Sequence, residues 1–440
     1  MAVGSALRRL LRQPGFRRLL SLRVLSQAAD GTLQVGMASY LLFSPMSQPD
    51  AWSIAAILAI TFLPFTVLGP FVSPLLDVWS RRQVAVVSDI IRASLCALIG
   101  VLIFVSATHG NWEVVLFAAL LVAMSINRFM LAGLTAGLQH VVEPDEYLTA
   151  SAILPMVGPM GVVIGAVLGI AGRLGLAPVL GDDPANAVVF WVAAVLFTGS
   201  VALGLGFRRD ALGPSEGASR TRASEVWRDL AAAGRHLAVR PVPMLAITGL
   251  AAMRLLFGLF SVAIILGFRN LIHIDPIDAL ADLTLWGTLT GVGFISASAV
   301  VPPVARFVGL RVSVAVMLGI AALATATMML GGREVLLVAS VFVGLGAQGY
   351  KILADTMVQA GIDEAFKGRV FTFYDMAFNG AFVLAGVVAA LTLPVTGIDA
   401  ATLPVLTGLW LLLAAAFAGV AHRIGPGSFE KGTEDLTSPR

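Results

Sequence analysis

The chain has 440 residues, of which 58% are hydrophobic and 12% are charged. Ordinary soluble domains carry about 45–50% apolar and about 25% charged residues, so this composition excludes a soluble globular protein and predicts a membrane protein. The formal net charge of +3 gives no indication of nucleic-acid binding, and the single cysteine excludes an intrachain disulfide.

Twelve apolar runs follow one another along the chain, and most of them are 20–26 residues long. A helix needs about 20 apolar residues to cross the hydrocarbon core of a bilayer. In chain order, the runs define spans 1 to 12 and cover residues 19–43, 52–73, 84–107, 114–137, 150–171, 187–207, 242–267, 283–304, 312–331, 335–354, 373–393 and 402–422. We therefore predict an all-α membrane protein with 12 transmembrane helices.

The positive residues predict the orientation of these spans. Twelve crossings place both termini on one side, where the terminal segments and loops hold 21 Lys and Arg residues. The loops of the opposite side hold three, Arg173, Arg269 and Arg333. Positive residues accumulate on the cytoplasmic side of membrane proteins, so both termini are predicted to be cytoplasmic in a multi-pass protein of the inner membrane.

The longest polar stretch between spans, residues 208–240, divides the chain into two sets of six spans. An amphipathic helix is predicted at its end, over residues 225–239. The predicted divisions are a cytoplasmic N-terminal segment (1–18), a first six-helix half (19–207), the cytoplasmic central loop (208–240), a second six-helix half (241–422) and a cytoplasmic tail (423–440). Two repeated helical halves around a midplane site are typical of secondary transporters.

The loop between spans 2 and 3 reads Ser73-Pro-Leu-Leu-Asp77-Val-Trp-Ser-Arg81-Arg82. It resembles the signature Gly-x-Leu-Ala-Asp-Arg-x-Gly-Arg-Arg of the major facilitator superfamily at Leu75, Asp77, Arg81 and Arg82. The resemblance extends over roughly residues 15–422 and implies the major facilitator fold, with an alternating-access cavity lined mainly by spans 1, 4, 7 and 10.

The same loop predicts a gating element. Asp77 can form charge-assisted hydrogen bonds with Arg81 and Arg82 that hold one conformation until a rocking motion breaks them. The alternative is a simple cluster of positive residues on the cytoplasmic side.

Shorter matches indicate a subgroup of the superfamily. Gly31 after Asp30, the Ser88-Asp-Ile-Ile-Arg-Ala segment, Asn127-Arg-Phe and Gly368-Arg-Val are similar to bacterial exporters related to the enterobactin exporter and macrolide efflux proteins.

Span 5 carries glycines at positions 158, 161, 165 and 169, a spacing that predicts close approach of a neighbouring helix. These glycines also partly resemble a Gly-Pro motif of the antiporter branch, but ordinary packing explains them equally well.

Charged residues inside the spans indicate the candidate site. Asp30 lies 11 residues into span 1, about 16 Å deep, where a carboxylate costs at least ~2.5 kcal/mol on insertion scales. Arg254 lies at matching depth in span 7, so we expect Asp30 and Arg254 to face each other or a shared cavity and to couple proton movement to transport.

Five further residues are predicted to line the substrate cavity, namely Gln34, Asn127, Arg128, Gln348 and Lys351. Arg23, Asp89, Arg92 and Asp355 are nearer the cytoplasmic ends of their spans, and we expect them to snorkel or to pair locally. The deep set of Asp30, Arg128, Arg254 and Lys351 has a surplus of positive charge, which predicts a substrate with a negative or strongly electronegative group. The alternative is that these basic groups pair with backbone carbonyls or with Asp89 and Asp355.

No enzyme is predicted, since the five histidines lack metal-ligand spacing and no nucleotide-binding P-loop is present, and no cofactor or metal is expected. The pattern favours a monomeric secondary active transporter that moves a small amphipathic compound across the cytoplasmic membrane, most simply by proton-coupled export. The alternatives are a lipid or lipid-conjugate translocator on the same scaffold, facilitated solute uptake and, from another class, a polytopic receptor or membrane enzyme.

Overall fold

A computed structural model of the protein describes residues 9–43, 50–67, 80–105, 113–143, 147–209, 211–213, 223–273, 275–425 and 427–430. Within these ranges every regular element is a helix. The helices are α1 (Pro14–Phe43), α2 (Ala51–Val67), α3 (Arg81–Val105), α4 (Glu113–Gly137), α5 (Tyr147–Leu180), α6 (Asp182–Leu205), α7 (Ala223–Ala238), α8 (Pro241–Leu266), α9 (Pro276–Thr327), α10 (Arg333–Gly361), α11 (Glu364–Thr392), α12 (Thr402–Ile424) and α13 (Gly427–Glu430). A π-helical turn, Gly267–Ile272, continues α8.

Nine helices among the described residues are long and apolar enough to cross a membrane. Helix α1 is not one of them, because Gln27, Asp30 and Gln34 lower its hydropathy, and the described part of α2 has 17 residues. One of the nine apolar segments, Asp278–Leu330, has 53 residues and covers two predicted spans. The number of 12 transmembrane helices therefore stays a prediction.

The region between predicted spans 8 and 9 differs from the expected loop. Helix α9 runs through it, and only Gly309 departs from helical geometry, with a φ of 77° that favours glycine. Pro302 and Pro303 lie inside this helix. The break between spans 9 and 10 is where the sequence predicts it, at Gly331 and Gly332, which both have positive φ.

Contacts between helices divide the chain into two compact units. Unit 1 consists of Met1–Gln48 and Val67–Val226, and unit 2 of Pro49–Thr66 and Trp227–Arg440. This grouping assigns α2 to unit 2, whereas the sequence places that helix in the first half. The domain limits drawn from the sequence stay a prediction.

In unit 1, α1 packs along α5 and α6. A Cβ atom at Gly165 would overlap the carbonyl oxygen of Ala28, and one at Gly31 would overlap the carbonyl oxygen of Val162. The backbones of α1 and α5 are therefore in direct contact, which confirms the close approach predicted from the glycines of span 5. This contact fixes the helix that carries Asp30.

In unit 2, α9 and α10 form a similarly close pair. A Cβ atom at Gly344 would lie 2.5 Å from the carbonyl oxygen of Thr290, and one at Gly346 would lie 2.5 Å from that of Met317. Helix α8 packs on α10, α11 and α12. This arrangement places Arg254 on α8 and Lys351 on α10 within one helical bundle.

Polar residues define several helix ends outside the apolar runs. Asp50 accepts a hydrogen bond from the backbone N–H of Ser53 (2.8 Å) at the start of α2. At the start of α12, Asp399 accepts hydrogen bonds from the hydroxyl (2.7 Å) and the backbone N–H (2.8 Å) of Thr402, and these two bonds hold the pKa of Asp399 below its ordinary value.

The central helix α7 lies in the segment where the sequence predicts an amphipathic helix, and it buries Leu230 and Leu237 and exposes Arg228 and Arg235.

Candidate functional site

A buried ionic cluster lies in unit 1, where α1 meets α3. Asp30 on α1 is fully buried, and its Oδ1 accepts a hydrogen bond from Nη1 of Arg92 at 2.9 Å. Arg92 on α3 is also fully buried and forms a second ion pair with Asp89, one turn earlier on the same helix. Two carboxylates therefore share one guanidinium. The cluster carries one negative charge when both acids are ionised and none when one of them holds a proton.

Neutral polar groups extend the ionic cluster to a third helix. Nε2 of Gln27 lies 3.2 Å from Oδ2 of Asp30 and 3.3 Å from Oδ1 of Asn127 on α4. Ser26 accepts a hydrogen bond from Nη2 of Arg92 at 2.7 Å. Asn127, which the sequence predicts to line the substrate cavity, is thus linked to Arg92 by three hydrogen bonds, through Gln27 and Asp30.

An aromatic ring covers the guanidinium. The centre of the Phe197 ring on α6 lies 4.3 Å from the guanidinium carbon of Arg92, which is within the range of a cation–π interaction. Four helices of unit 1 therefore surround a charge that has no exposure to solvent. A buried charge of this kind is retained only with closely fitted partners, because desolvation of an ion costs several kcal/mol.

The role of Arg92 could not be recognised from depth alone. The sequence predicts that it snorkels or pairs locally, and it does pair with Asp89, but it also supplies the cation for Asp30. The available signal is the spacing of Asp89 and Arg92, which lie three residues apart and so on one face of an apolar helix.

An aromatic cation cluster lies in unit 2 around Arg254. Its guanidinium carbon lies 3.7 Å from the ring centre of Phe382, 4.3 Å from Phe378, 5.7 Å from Phe62 and 5.8 Å from Phe257. The described residues provide it with no ion pair, and its buried Nε has no hydrogen-bond partner among them. Arg254 is therefore a cation surrounded by aromatic rings, and its Nε–H has no hydrogen-bond acceptor among the described residues.

Lys351 lies beside this cluster in a local triad. Its Nζ is 2.9 Å from Oδ2 of Asp355, and the hydroxyl of Tyr374 donates to the same carboxylate. The Lys351 Nζ is also 5.8 Å from the ring centre of Phe378, which contacts Arg254. Pairing of Lys351 with Asp355 is one of the alternatives left open by the sequence, and it neutralises this charge.

The structure describes only some of the remaining predicted site residues. Gln34 and Gln348 are half-buried on α1 and α10. Asp77 and the side chain of Arg128 lie outside the described residues. Asp30 and Arg254 belong to different units, so their pairing stays a prediction, and the cation observed beside Asp30 is Arg92.

The two arginines of the predicted gating loop bind backbone carbonyls, one at the end of α6 and one in the segment that follows it. Arg82 donates from Nη2 to Leu205 (3.2 Å), and Arg81 donates from Nη1 to Leu212 (3.2 Å). Cations are favoured at a helix C-terminus, where carbonyl groups lack partners within the helix. The start of α3 is thereby tied to the end of α6. The predicted contact with Asp77 stays a prediction.

Two groups of ion-paired residues, near the α5–α6 and α9–α10 connections, were not predicted from the sequence. In unit 1, Arg173 on α5 pairs with Asp182 on α6. In unit 2, Asp282 on α9 accepts hydrogen bonds from Arg333 on α10 and lies 2.7 Å from Nε2 of His273. The partners of Asp282 come from separate segments, the start of α10 and the residue after the π-helical turn, so no local spacing reveals them.

Comparison with known proteins decides the family. Residues 20–386 match the Major Facilitator Superfamily. The chain belongs to this superfamily. It is 33% identical over 391 residues to uncharacterized MFS-type transporters of Mycobacterium tuberculosis and Mycobacterium bovis, with 87% of this chain and 86% of each relative covered.

Solved structures agree on the fold. A mutant of the nucleoside transporter NupG has a TM-score of 0.68 at 15% identity, covering 92% of this chain and 98% of that one. An auto-inhibited POT family peptide transporter has a TM-score of 0.66 at 14% identity, with 93% and 97% covered. This member of the Major Facilitator Superfamily is therefore a multi-pass membrane transporter and not an enzyme.

Proposed function

We propose that this transporter exports a small amphipathic compound across the cytoplasmic membrane in exchange for protons. The observation that carries the proposal is the buried ionic cluster, in which two carboxylates compete for the single guanidinium of Arg92. Such a site can exist in two charge states that differ by one proton.

Proton binding can change the contacts of α1. When Asp30 is ionised, its attraction to Arg92 holds α1 against α3 across a distance of 2.9 Å. When Asp30 takes up a proton, Arg92 keeps Asp89 as its counter-ion and the link to α1 weakens. A proton thereby alters the position of a helix that the family resemblance assigns to the transport cavity.

The direction of transport is proposed from the sequence. The segments around Asp30, Arg92 and Asn127 are among those that resemble bacterial exporters related to the enterobactin exporter and macrolide efflux proteins. In the structure these same residues form the ionic cluster. The residues that indicate the exporter branch are thus the residues proposed to handle the proton.

The amphipathic character of the substrate is proposed from unit 2. Four phenylalanine rings around Arg254 present apolar surface and one positive charge that lacks an acidic partner among the described residues. A compound with an apolar body and a polar or anionic group matches this combination.

Reconstitution into proteoliposomes tests the proposal. A series of fluorescent amphipathic compounds that differ in net charge is loaded into the proteoliposomes, and a pH gradient is imposed. The movement of compound and the movement of protons are both recorded. We expect compound export that stops when an ionophore collapses the gradient, together with proton counterflow. Compound movement that continues without the gradient would contradict proton coupling, and gradient-independent movement of labelled lipids would favour the lipid translocator.

A further inference from the structure

Gln27 on α1 links Asp30 to α4 through both hydrogen atoms of its side-chain amide. Its Nε2 donates to Oδ2 of Asp30 (3.2 Å) and to Oδ1 of Asn127 (3.3 Å). Asp30 is fully buried, and Gln27 and Asn127 are each 5% exposed. An amide nitrogen carries two N–H groups, so both donors of Gln27 are in use. Asp30, Gln27 and Asn127 together are called the amide chain below.

The charge of Asp30 determines the direction of these hydrogen bonds. Oδ1 of Asp30 accepts a hydrogen bond from Nη1 of Arg92 at 2.9 Å, within an ion pair. An ionised carboxylate can only accept hydrogen bonds, so the amide of Gln27 must turn its N–H groups and not its carbonyl towards Asp30. The second N–H of Gln27 needs an acceptor, and Asn127 therefore presents its carbonyl oxygen. Both amide orientations thus follow from the ionised state of Asp30.

A proton bound by Asp30 makes this arrangement unfavourable. Oδ1 faces the guanidinium of Arg92, which stays protonated in proteins and cannot become an acceptor. The proton therefore belongs on Oδ2, where the new O–H group faces the N–H of Gln27. Two donors that face each other leave a buried donor without an acceptor, which is unfavourable.

The charged groups around Asp30 offer no other adjustment. Those that act most strongly on it are Arg92 and Asp89, both on α3. Within the described part of the chain, α4, α5 and α6 contribute no ion pair to Asp30. Helix α4 contributes the neutral Asn127, and α6 contributes Phe197, which covers Arg92. The neutral amides are therefore the groups that can respond to the proton.

Rotation of two amide groups by 180° restores both hydrogen bonds of the amide chain. Oε1 of Gln27 then takes the place of Nε2, and its two lone pairs accept from Oδ2–H of Asp30 and from Nδ2 of Asn127. Two hydrogen bonds replace two, and the one covalent change is the O–H bond formed with the incoming proton. The terminal torsion of an amide is broad and roughly two-fold, so both orientations fill the same space. A Cβ atom at Gly161 would lie 2.9 Å from Cβ of Gln27, so α5 holds the stem of this side chain in place.

We propose that Gln27 and Asn127 are positioning residues that transmit the protonation state of Asp30 to α4 by reversing their hydrogen bonds. With Asp30 ionised, Asn127 uses its carbonyl within the amide chain and its N–H groups remain for a bound compound. With Asp30 protonated, Asn127 uses an N–H within the chain and offers its carbonyl instead. A compound that binds Asn127 through a carbonyl or ether oxygen is then favoured before proton uptake and disfavoured after it. The inference rests on the proposed function for this last step, from the reversal to transport.

Infrared difference spectroscopy of the purified full-length protein tests the proposal without substrate and without a proton gradient. Spectra are recorded in a titration from pH 4 to pH 9, with and without ¹⁵N in the side-chain amides of Gln and Asn. We expect amide bands that shift with the label and titrate together with the carboxyl band of protonated Asp30. Asp30→Asn should lose the carboxyl band and these amide bands together, because its own N–H faces Gln27 at every pH and keeps the chain in the reversed orientation.

Three further variants assign the amide bands. Gln27→Leu interrupts the amide chain, so the bands of both amides should disappear while the carboxyl band of Asp30 remains. Asn127→Leu removes one amide, so about half of the label-sensitive signal should remain. Gln83→Leu, at an exposed glutamine of α3, is the matched control and should leave the difference spectrum unchanged. The melting temperature of each variant shows whether the fold is retained, and Asn127→Leu and Asp30→Asn decide the question if Gln27→Leu does not fold.

A carboxyl band of Asp30 without label-sensitive amide bands, amide bands that survive Gln27→Leu, or no titration of Asp30 in this range would each overturn the proposal. Spectra and gradient-driven transport are recorded separately. Titrating amide bands in a protein whose transport ignores the proton gradient contradict the proposed function and support the amide chain. Gradient-driven export without these bands does the reverse.

Discussion

At the scale of single residues, the placement of Arg92 determines what Asp30 can do. Arg92 serves two buried carboxylates and stacks on Phe197, so its charge is compensated more than once. Neutralising one carboxylate leaves a balanced pair, whereas removing the guanidinium leaves two buried negative charges close together. Removing the guanidinium should therefore destabilise the fold much more than neutralising one carboxylate, although both changes remove part of the same cluster.

Substitution of Asp30 by Asn should abolish proton-coupled transport and leave the protein folded. Asn is isosteric with the protonated acid, and Arg92 retains Asp89 as its counter-ion. Transport in proteoliposomes is measured across pH 6–8, with Glu143→Gln as a control at an exposed loop carboxylate. Export by Asp30→Asn at the wild-type rate over that range would show that Asp30 has no coupling role.

Substitution of Arg92 by Gln should destabilise the protein strongly. Breaking a buried ion pair by removing one partner costs about 3–5 kcal/mol, since the other charge remains buried. Adding Asp89→Asn to the Arg92→Gln variant removes one of the two stranded charges and should recover part of the loss. Thermal unfolding in detergent measures both effects, and a melting temperature of Arg92→Gln equal to that of the wild type would contradict the observed pairing.

The sequence identifies only part of this cluster. Asp30 is visible because a carboxylate deep in an apolar run is rare. Its partner lies 62 residues away on α3, and only the rotation of α1 and α3 about their axes brings the two side chains together. Similarly, Arg254 is visible as a deep charge, but the four rings around it come from α2, α8 and α11 and share no local pattern.

At the scale of helices, glycines determine how closely neighbours pack. The pair formed by α1 and α5 depends on Gly31 and Gly165, each of which faces a backbone carbonyl of the other helix. This feature was predictable, because glycines at four-residue spacing place a smooth strip along one helix face. The identity of the partner helix was not, since any neighbour could use that strip.

Replacement of Gly165 by Ala should push α1 and α5 apart. The new methyl group would overlap the carbonyl oxygen of Ala28, which is backbone and cannot rotate away, so we expect a loss of about 1–3 kcal/mol in stability. Gly175→Ala on the same helix is the control, because its Cβ meets no atom within 4 Å. Melting temperatures in detergent should fall for Gly165→Ala alone, and equal values for the two variants would contradict the close contact.

Most helix boundaries lie within five residues of the apolar runs, but α5 and α10 extend 9 and 7 residues beyond their runs and α11 begins 9 residues before its run. The region around Gly309 differs in another way. The segment Pro302–Arg311 carries two prolines and two arginines, which predict a loop between spans 8 and 9. The structure keeps it helical on both sides of one residue, because a single glycine at positive φ is enough to redirect the chain. Composition therefore indicates that the chain turns here but not how few residues the turn needs.

At the scale of the whole molecule, composition and span length predict an all-helical membrane protein, and the two halves and the family resemblance predict a transporter. Family membership agrees with the transporter prediction. Which charges pair with one another within each unit could be seen only in the structure. The ionic cluster of unit 1 has a surplus carboxylate, Lys351 of unit 2 is neutralised by Asp355, and Arg254 has no acidic partner among the described residues. The sequence predicts a surplus of positive charge from Asp30, Arg128, Arg254 and Lys351. Among the described side chains of this set, Arg254 is the positive residue that has no acidic partner.

Arg254 should therefore give the transporter a preference for substrates with a negative or strongly electronegative group. A guanidinium surrounded by aromatic rings is poorly hydrated, so an anionic group gains more from it than it would from a solvated cation. Binding is measured with matched anionic, neutral and cationic analogues of one amphipathic compound, in the wild type and in Arg254→Gln. We expect the anion to bind at least fivefold more tightly than the cation, and this preference should disappear in Arg254→Gln and persist in Arg235→Gln, a control on the exposed face of α7. A preference for cations that Arg254→Gln leaves unchanged would contradict the prediction and would make Asp30 a direct cation-binding carboxylate.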